Sequence, residues 1–376
     1  MQLSFLFCLL VLVIDSKPLN DLKETFMRIL IVTDAWPPQI NGVVRTLQTV
    51  GKELTKRGHE VHFFTPEGRR VLRVPSYKEI ELALVGTRTI GREIEKLQPD
   101  AIHIATEGPL GWAARRACLR RKLPFTTSFH TRFAEYAEAR IPIPGTAKFF
   151  WNVLRHFHKH SQAVMTPSLT ISNLLESKGF KNVKTWTRGV DHGTFKIMPR
   201  DYFDLPRPLM VVSGRVIIDK NIEAFLRLDL PGTKIVIGDG PDRKMMEEKF
   251  PKAVFTGFLR EQTYAHALSS ADCFVFPSLT DTFGLVMVEA MACGTPVAAY
   301  NVSSPIDVVK HGETGFMDED LSVAIAGALK LDRKKVQTGS KQFTWENTAG
   351  MFESWLVKIS PQTPAQSFKN SSTASL

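Results

Sequence analysis

The chain has 376 residues, 43% hydrophobic and 23% charged, with a formal net charge of +10. That length argues against a single ordinary core and predicts two domains, and the composition is that of a soluble globular protein. The positive excess favours anionic partners, nucleotides or anionic lipid surfaces among them, but no basic run interleaved with aromatics marks a single-strand nucleic-acid binder.

In chain order, the first feature is an apolar run from Leu3 to Ile14. It is shorter than the roughly 20 residues that cross a bilayer as a helix, no Lys or Arg precedes it, and no clear cleavage site follows. The fold is expected to begin at Met27, with residues 1–26 an extension or a miscalled start. A membrane-proximal anchor is the rival reading. Short apolar strands then alternate with helical patterns: Ile29–Thr33, Val61–Thr65, Ala101–Ile104, Phe125–Ser128 and Ala163–Thr166. After a Pro-rich break at Asp191–Pro208 come Leu209–Ser213, Lys234–Ile237, Ala253–Thr256, Cys273–Phe276 and Val297–Ala299. Such alternation predicts an α/β fold of parallel sheets covered on both faces and joined by right-handed crossovers. The expected division is an N-terminal domain over 27–199, a C-terminal domain over 200–344, a closing helix over 345–360 and a Ser- and Pro-rich disordered tail over 361–376. Cys8, Cys118, Cys273 and Cys293 are dispersed without a CxxC pair, which favours reduced thiols over a disulfide framework or a zinc site.

Several segments stand where open α/β sheets bind ligands, just past strand ends. Gly42 opens a helix after the first strand, without the GxGxxG dinucleotide fingerprint. His130 follows the strand ending at Ser128, as a polar contact, a proton handler or a structural histidine. In the second half, Ser213-Gly214-Arg215 ends a strand and Lys220 opens a helix. Arg215 offers a donor fork and Lys220 a point charge, both suited to a diphosphate, although surface cations at a βα turn would look the same. Asp281 and Glu289 stand on either side of the Phe283-Gly284-Leu285 turn. Backbone amides at such a turn can hold phosphate, and the carboxylates can accept hydrogen bonds from sugar or ribose hydroxyls. Helix capping would explain either acid alone.

Together these segments resemble the family 4 retaining glycosyltransferases of the GT-B fold, over nearly the whole chain from Met27 to Ile359. The most specific elements are Asp281 to Glu289 followed by Ala-Met-Ala-Cys-Gly-Thr-Pro, and the Gly214-Arg215 to Lys220-Asn221 pair. Thr33-Asp34-Ala35-Trp36-Pro37-Pro38 and Ser128-Phe129-His130-Thr131-Arg132 look most like the GDP-mannose-dependent α-mannosyltransferase branch. The resemblance implies two Rossmann-like doubly wound domains facing a cleft. It implies that Arg215 and Lys220 bind the donor diphosphate, Glu289 the ribose and Asp281 a hydroxyl of the transferred sugar. Gly214, Phe283, Gly284 and Leu285 would line the donor site, Gly42 would approach the phosphates from the other domain, and His130 would face the sugar. The chain departs from the family at Asp281, where Glu is usual, and at Asn301-Val302-Ser303-Ser304-Pro305, which replaces a Gly-Gly-x-Pro-Glu segment. The shorter acid leaves the donor sugar open. The implied reaction is transfer of a hexose, foremost mannose from GDP-mannose, to a lipid or glycan acceptor. A UDP-sugar-dependent glycolipid synthase is the alternative, and a non-catalytic sugar-nucleotide-binding protein is the rival of another class.

No metal or other cofactor is expected. Asp318-Glu319-Asp320 spells the DxD of metal-dependent transferases but precedes a helical run at Leu321–Leu331, where capping explains it. His156 and His160 share a predicted helix face without a third ligand. Arg115, Arg116, Arg120, Arg121 and Lys122 form a basic helix stretch, either a solvated face or a dock for anionic membrane, with Arg140–Phe150 adding apolar residues. A cytoplasmic protein, peripheral on the membrane, is the matching expectation.

Overall fold

The computed structural model describes residues 26–39, 41–74, 77–140 and 143–360. The apolar run at Leu3–Ile14 and the Pro361–Leu376 tail lie outside the described residues.

The N-terminal lobe carries β1 (Arg28–Val32), β2 (Glu60–Phe64), β3 (Val71–Val74), β4 (Tyr77–Ala83), β5 (Ala101–Ile104), β6 (Thr126–Ser128), β7 (Val164–Thr166) and β8 (Val183–Thr185). Its helices are α1 (Gly42–Lys56), α2 (Thr87–Leu97), α3 (Pro109–Arg121), α4 (Phe133–Arg140), α5 (Thr146–His158) and α6 (Leu169–Ser177). Six strands pair in the order β2-β1-β5-β6-β7-β8, every pair parallel. The β3–β4 hairpin, antiparallel, stands apart.

The C-terminal lobe carries β9 (Leu209–Ser213), β10 (Thr233–Ile237), β11 (Val254–Gly257), β12 (Cys273–Phe276), β13 (Val297–Tyr300) and β14 (Gly315–Asp318). Its helices are α7 (Ile222–Leu226), α8 (Arg243–Lys249), α9 (Glu261–Ser270), α10 (Leu285–Ala292), α11 (Pro305–Val308), α12 (Leu321–Ala328) and α13 (Arg333–Ser340). The strand order is β11-β10-β9-β12-β13-β14, again parallel throughout. Both sheets are doubly wound, as expected from the continuously apolar strands, whose residues are buried from both sides.

Strand order reverses between β1 and β5 in one sheet and between β9 and β12 in the other. Those reversals open crevices at the carboxyl edge, where the connecting loops leave in opposite directions. The segments singled out from sequence after β1, β9 and β12 lie at these two switch points.

The last helix, α14 (Trp345–Trp355), returns to the N-terminal lobe. Trp345 and Phe352 pack with Met27, Ile29, Ile31, Leu47, Val50 and Leu54 in one core. The helix ends at Trp355, short of the Ile359 expected from its periodicity, and Ile359 N–H instead bonds to the Asp100 carbonyl at 2.7 Å. The cysteines at 118, 273 and 293 are buried and unbridged, and burial raises each thiol, that of Cys118 to about 12.

Candidate active site

In the C-terminal lobe the site begins where β9 and β12 part. Asn221 Nδ2 donates to the Pro277 carbonyl at 3.1 Å, tying the loop after β9 to the loop after β12. Lys220 Nζ lies 2.5 Å from Asp281 Oδ1. The other oxygen, Asp281 Oδ2, is buried and has no hydrogen-bond partner among the described residues. A buried carboxylate oxygen is an acceptor waiting for a donor such as a hydroxyl. The turn after β10 closes on this loop: a Cβ on Gly238 would fall 1.9 Å from the Gly214 carbonyl oxygen, so only glycine permits the approach. Arg215 stands half-buried in the same loop.

Gly284 is the N-cap of α10 at φ +78, a left-handed conformation that glycine adopts without penalty. It supplies no side-chain cap; Met287 N–H turns back to the Gly284 carbonyl at 2.9 Å, while the Leu285 and Val286 amides at the very start of α10 have no capping side chain. Helix-start amides of this kind, with the dipole behind them, attract negative charge. Glu289, one turn further on, is 2% exposed.

The N-terminal lobe faces this wall. Asn41 caps α1, its Oδ1 accepting from Val43 and Val44 N–H at 3.0 Å each. Gly42 follows as the first helical residue, and Leu285 Cδ1 lies 3.4 Å from where its Cβ would stand. The starts of α1 and α10 therefore meet across the cleft. Arg45, further along α1, forms an ion pair with Glu289. His130 follows β6, and its carbonyl accepts from Thr282 Oγ1 at 2.9 Å, beside Asp281. The predicted residues thus come together as Lys220 with Asp281, Gly42 with Leu285, and His130 with the Thr282 neighbour of Asp281. Burial, then the charge of Arg188, keeps the His130 ring well below the usual histidine range.

Three residues at the site escaped the sequence reading. Arg45 and Arg188 are long side chains whose partners, Glu289 and His130, are remote in sequence. Asp307 accepts from Thr170 N–H at 3.2 Å and from the Thr170 hydroxyl, across the cleft. The one available signal for it was its place beside the unusual Asn301–Pro305 segment, whose Ser303 accepts from Arg132 Nη1 at 3.1 Å.

Asp34, just after β1, accepts from Leu110 N–H at 3.0 Å, Gly111 N–H at 3.3 Å and Thr106 Oγ1 at 2.9 Å, anchoring the start of α3. Other expectations are corrected. The predicted face shared by His156 and His160 does not form, because α5 ends at His158. His158 is buried between Thr127 and Glu107, and His156 stacks on Trp112. The basic stretch on α3 is not one surface. Arg115 is 5% exposed and donates to the His156 and Phe157 carbonyls, because α5 packs against that side of α3. Arg121 pairs with Glu95, leaving Arg116, Arg120 and Lys122 exposed. The capping expected of the Asp318-Glu319-Asp320 segment is found: Asp320 caps α12, accepting from Ser322 N–H at 2.8 Å.

The family model Glycosyltransferase Family 4 matches residues 40–194, and Glycosyl transferases group 1 matches residues 212–331. A GDP-mannose-dependent alpha-mannosyltransferase of Mycolicibacterium smegmatis is 31% identical over 320 residues, 77% of this chain and 84% of the relative. The chain belongs to glycosyltransferase family 4. The alpha-monoglucosyldiacylglycerol synthase of Streptococcus pneumoniae is 28% identical, over 81% of this chain and 78% of that enzyme. Among solved structures, sucrose-phosphate synthase from Thermosynechococcus elongatus superposes with a TM-score of 0.67 at 19% identity, covering 87% of this chain and 97% of that one. That likeness establishes the fold as GT-B. This family 4 member is accordingly a hexosyltransferase with its two lobes facing one cleft.

Proposed function

We propose that this glycosyltransferase moves mannose from GDP-mannose, with retention, to a lipid or glycan acceptor. The observation that carries the reading is the donor wall: Lys220 against Asp281, an Asp281 oxygen without a partner among the described residues, the uncapped start of α10, and buried Glu289. The sugar and nucleotide are supported by the GDP-mannose-dependent alpha-mannosyltransferases among the relatives. Arg215 and Lys220 take the diphosphate, Glu289 the ribose and Asp281 a sugar hydroxyl, with Gly42 opposite. As the glycosidic bond breaks, charge grows on the leaving phosphate. Fixed cations and helix amides stabilise it there, and the phosphate oxygen helps deprotonate the acceptor hydroxyl. The two lobes shield the donor from water.

A lipid acceptor calls for contact with a membrane. No helix of the described residues is long and apolar enough to cross one. Arg116 and Arg120 on α3 and Lys122 at its end stand exposed, and on the neighbouring α5 and the segment before it Phe149 and Ile143 are 63% and 65% exposed. Basic side chains beside protruding apolar ones suit an anionic lipid surface.

The deciding experiment incubates the purified full chain with GDP-mannose or UDP-glucose, with anionic vesicles present or absent, and measures thermal stabilisation and donor turnover. Stabilisation and turnover by GDP-mannose are expected. Lys220→Ala and Glu289→Ala are each expected to lower turnover by about a hundredfold or more. Preference for UDP-glucose would overturn the donor, and normal rates in both variants would overturn the site.

A further inference from the structure

Arg188 follows β8 and is 4% exposed. Its guanidinium lies over the Trp186 ring, with Cζ 4.2 Å from the centroid. Nη1 donates to the carbonyls of Trp186 at 2.8 Å and Thr187 at 3.2 Å. Nη2 stands 3.2 Å from Nδ1 of His130. No carboxylate pairs with Arg188 among the described residues, unlike Lys220 on the opposite wall, which pairs with Asp281. Burial lowers its pKa to about 9, which leaves it charged at neutral pH.

A guanidinium has donors and no acceptor. The Arg188–His130 contact is therefore a hydrogen bond only if His130 Nδ1 carries a lone pair. A neutral ring must then hold its proton on Nε2. Protonating Nδ1 would set two donors and two positive charges against each other in a buried site. His103 and His158 are the other titratable groups acting on this ring, and both disfavour a further positive charge. His130 Nε2 is itself buried and has no partner among the described residues. Its proton is left without an acceptor there.

We propose that Arg188 is a positioning residue that locks His130 as a neutral ring protonated on Nε2. His130 is thereby a fixed hydrogen-bond donor to a hydroxyl of the transferred sugar, and not a proton acceptor in the reaction. The sugar contact rests on the function proposed above; the lock itself does not.

The test is nitrogen NMR of the full chain with isotope-labelled histidine, the His130 signals being identified by their loss in His130→Gln. The expected spectrum has a protonated Nε2 and a bare Nδ1, unchanged between about pH 5 and 8, where an ordinary histidine titrates. In Arg188→Met the ring is expected to mix tautomers while staying neutral in that window, because burial remains the larger cause of its lowered pKa. Its kcat should fall about tenfold, as for one lost hydrogen bond, with the donor KM nearly unchanged. Arg188→Lys, which keeps a donor, should restore the wild-type tautomer and part of kcat. A wild-type ring protonated on Nδ1, or one that titrates in that window, overturns the proposal. So does an Arg188→Lys spectrum that matches Arg188→Met. If Arg188→Met does not fold, the wild-type spectrum and Arg188→Lys decide alone. The expected spectra together with no turnover of any nucleotide sugar would leave the lock standing and remove its assigned sugar contact.

Discussion

His103 sits at the centre of the N-terminal sheet, fully buried, with Nδ1 2.9 Å from Thr126 Oγ1 and Nε2 2.8 Å from Ser128 Oγ. Hydroxyls can serve either ring nitrogen, so the neutral ring is satisfied and a charged one is not. Burial, helped by His158, lowers its pKa to about 3. The unfolded chain keeps the ordinary value near 6.5, so between those limits it binds the proton that the folded chain refuses. Stability contributed by the neutral ring is therefore present above pH 6.5 and is lost as pH falls toward 3. Denaturant unfolding at falling pH should show a loss of about 1.4 kcal/mol per pH unit from this group within that window. His130, lowered in the same direction, adds to the slope. A His103→Asn variant should be less stable at neutral pH yet lose stability more gently on acidification; an unchanged slope would contradict this account. None of this was visible in the sequence, where His103 is one polar residue in an apolar strand. Gly284, by contrast, was legible, because a glycine between an acidic turn and an apolar helix has few other uses.

At the scale of elements, α14 carries the chain back across the molecule to close the first lobe. Phe352 is fully buried, its ring 4.8 Å from that of Trp186 and 4.7 Å from that of His103. It thus supports both the sheet and the segment that leads to Arg188. Truncating it to alanine removes a ring from a closed core and is expected to cost about 3–5 kcal/mol, read from denaturant unfolding of the N-terminal lobe. Binding of a nucleotide, seated on the C-terminal lobe, should survive better than turnover. Equal loss of both would show that the lobes do not fail separately. The sequence displayed this helix through its amphipathic spacing, but not which lobe it would cover, since a face does not name its partner. The ten apolar strands were legible for a similar reason, being short apolar runs between helical patterns, those inside the sheets buried from both sides and the edges β2 and β11 only in part. The β3–β4 hairpin, β8 and β14 were not. Val183-Lys184-Thr185 and Gly315–Asp318 are sheet edges that mix polar and apolar residues, and there only pairing with a neighbour makes a strand.

For the whole molecule, the cleft is held by a few polar contacts from distant segments. Ser168 Oγ donates to the Thr282 carbonyl at 3.3 Å, Thr282 Oγ1 to the His130 carbonyl at 2.9 Å, and Arg132 Nη1 to Ser303 Oγ at 3.1 Å. Asp307 adds a charge-assisted contact at the start of α6. The neighbouring Asn301–Pro305 segment departs from the family pattern in sequence, and only the fold reveals that Asp307 faces α6. Hydrogen bonds to a charged group contribute about 1.5–3 kcal/mol, enough to move a balance between closed and open lobes by tenfold or more. Asp307→Ala should therefore increase the radius of gyration measured by X-ray scattering. It should also raise the ratio of donor hydrolysis to transfer, because an opened cleft admits water to the reacting centre. Asp307→Asn retains an acceptor without the charge and should fall between the two. The donor wall itself is untouched in both variants, so nucleotide affinity should change little. Scattering and hydrolysis ratios equal to those of the unmodified chain would mean that the lobes are held together elsewhere.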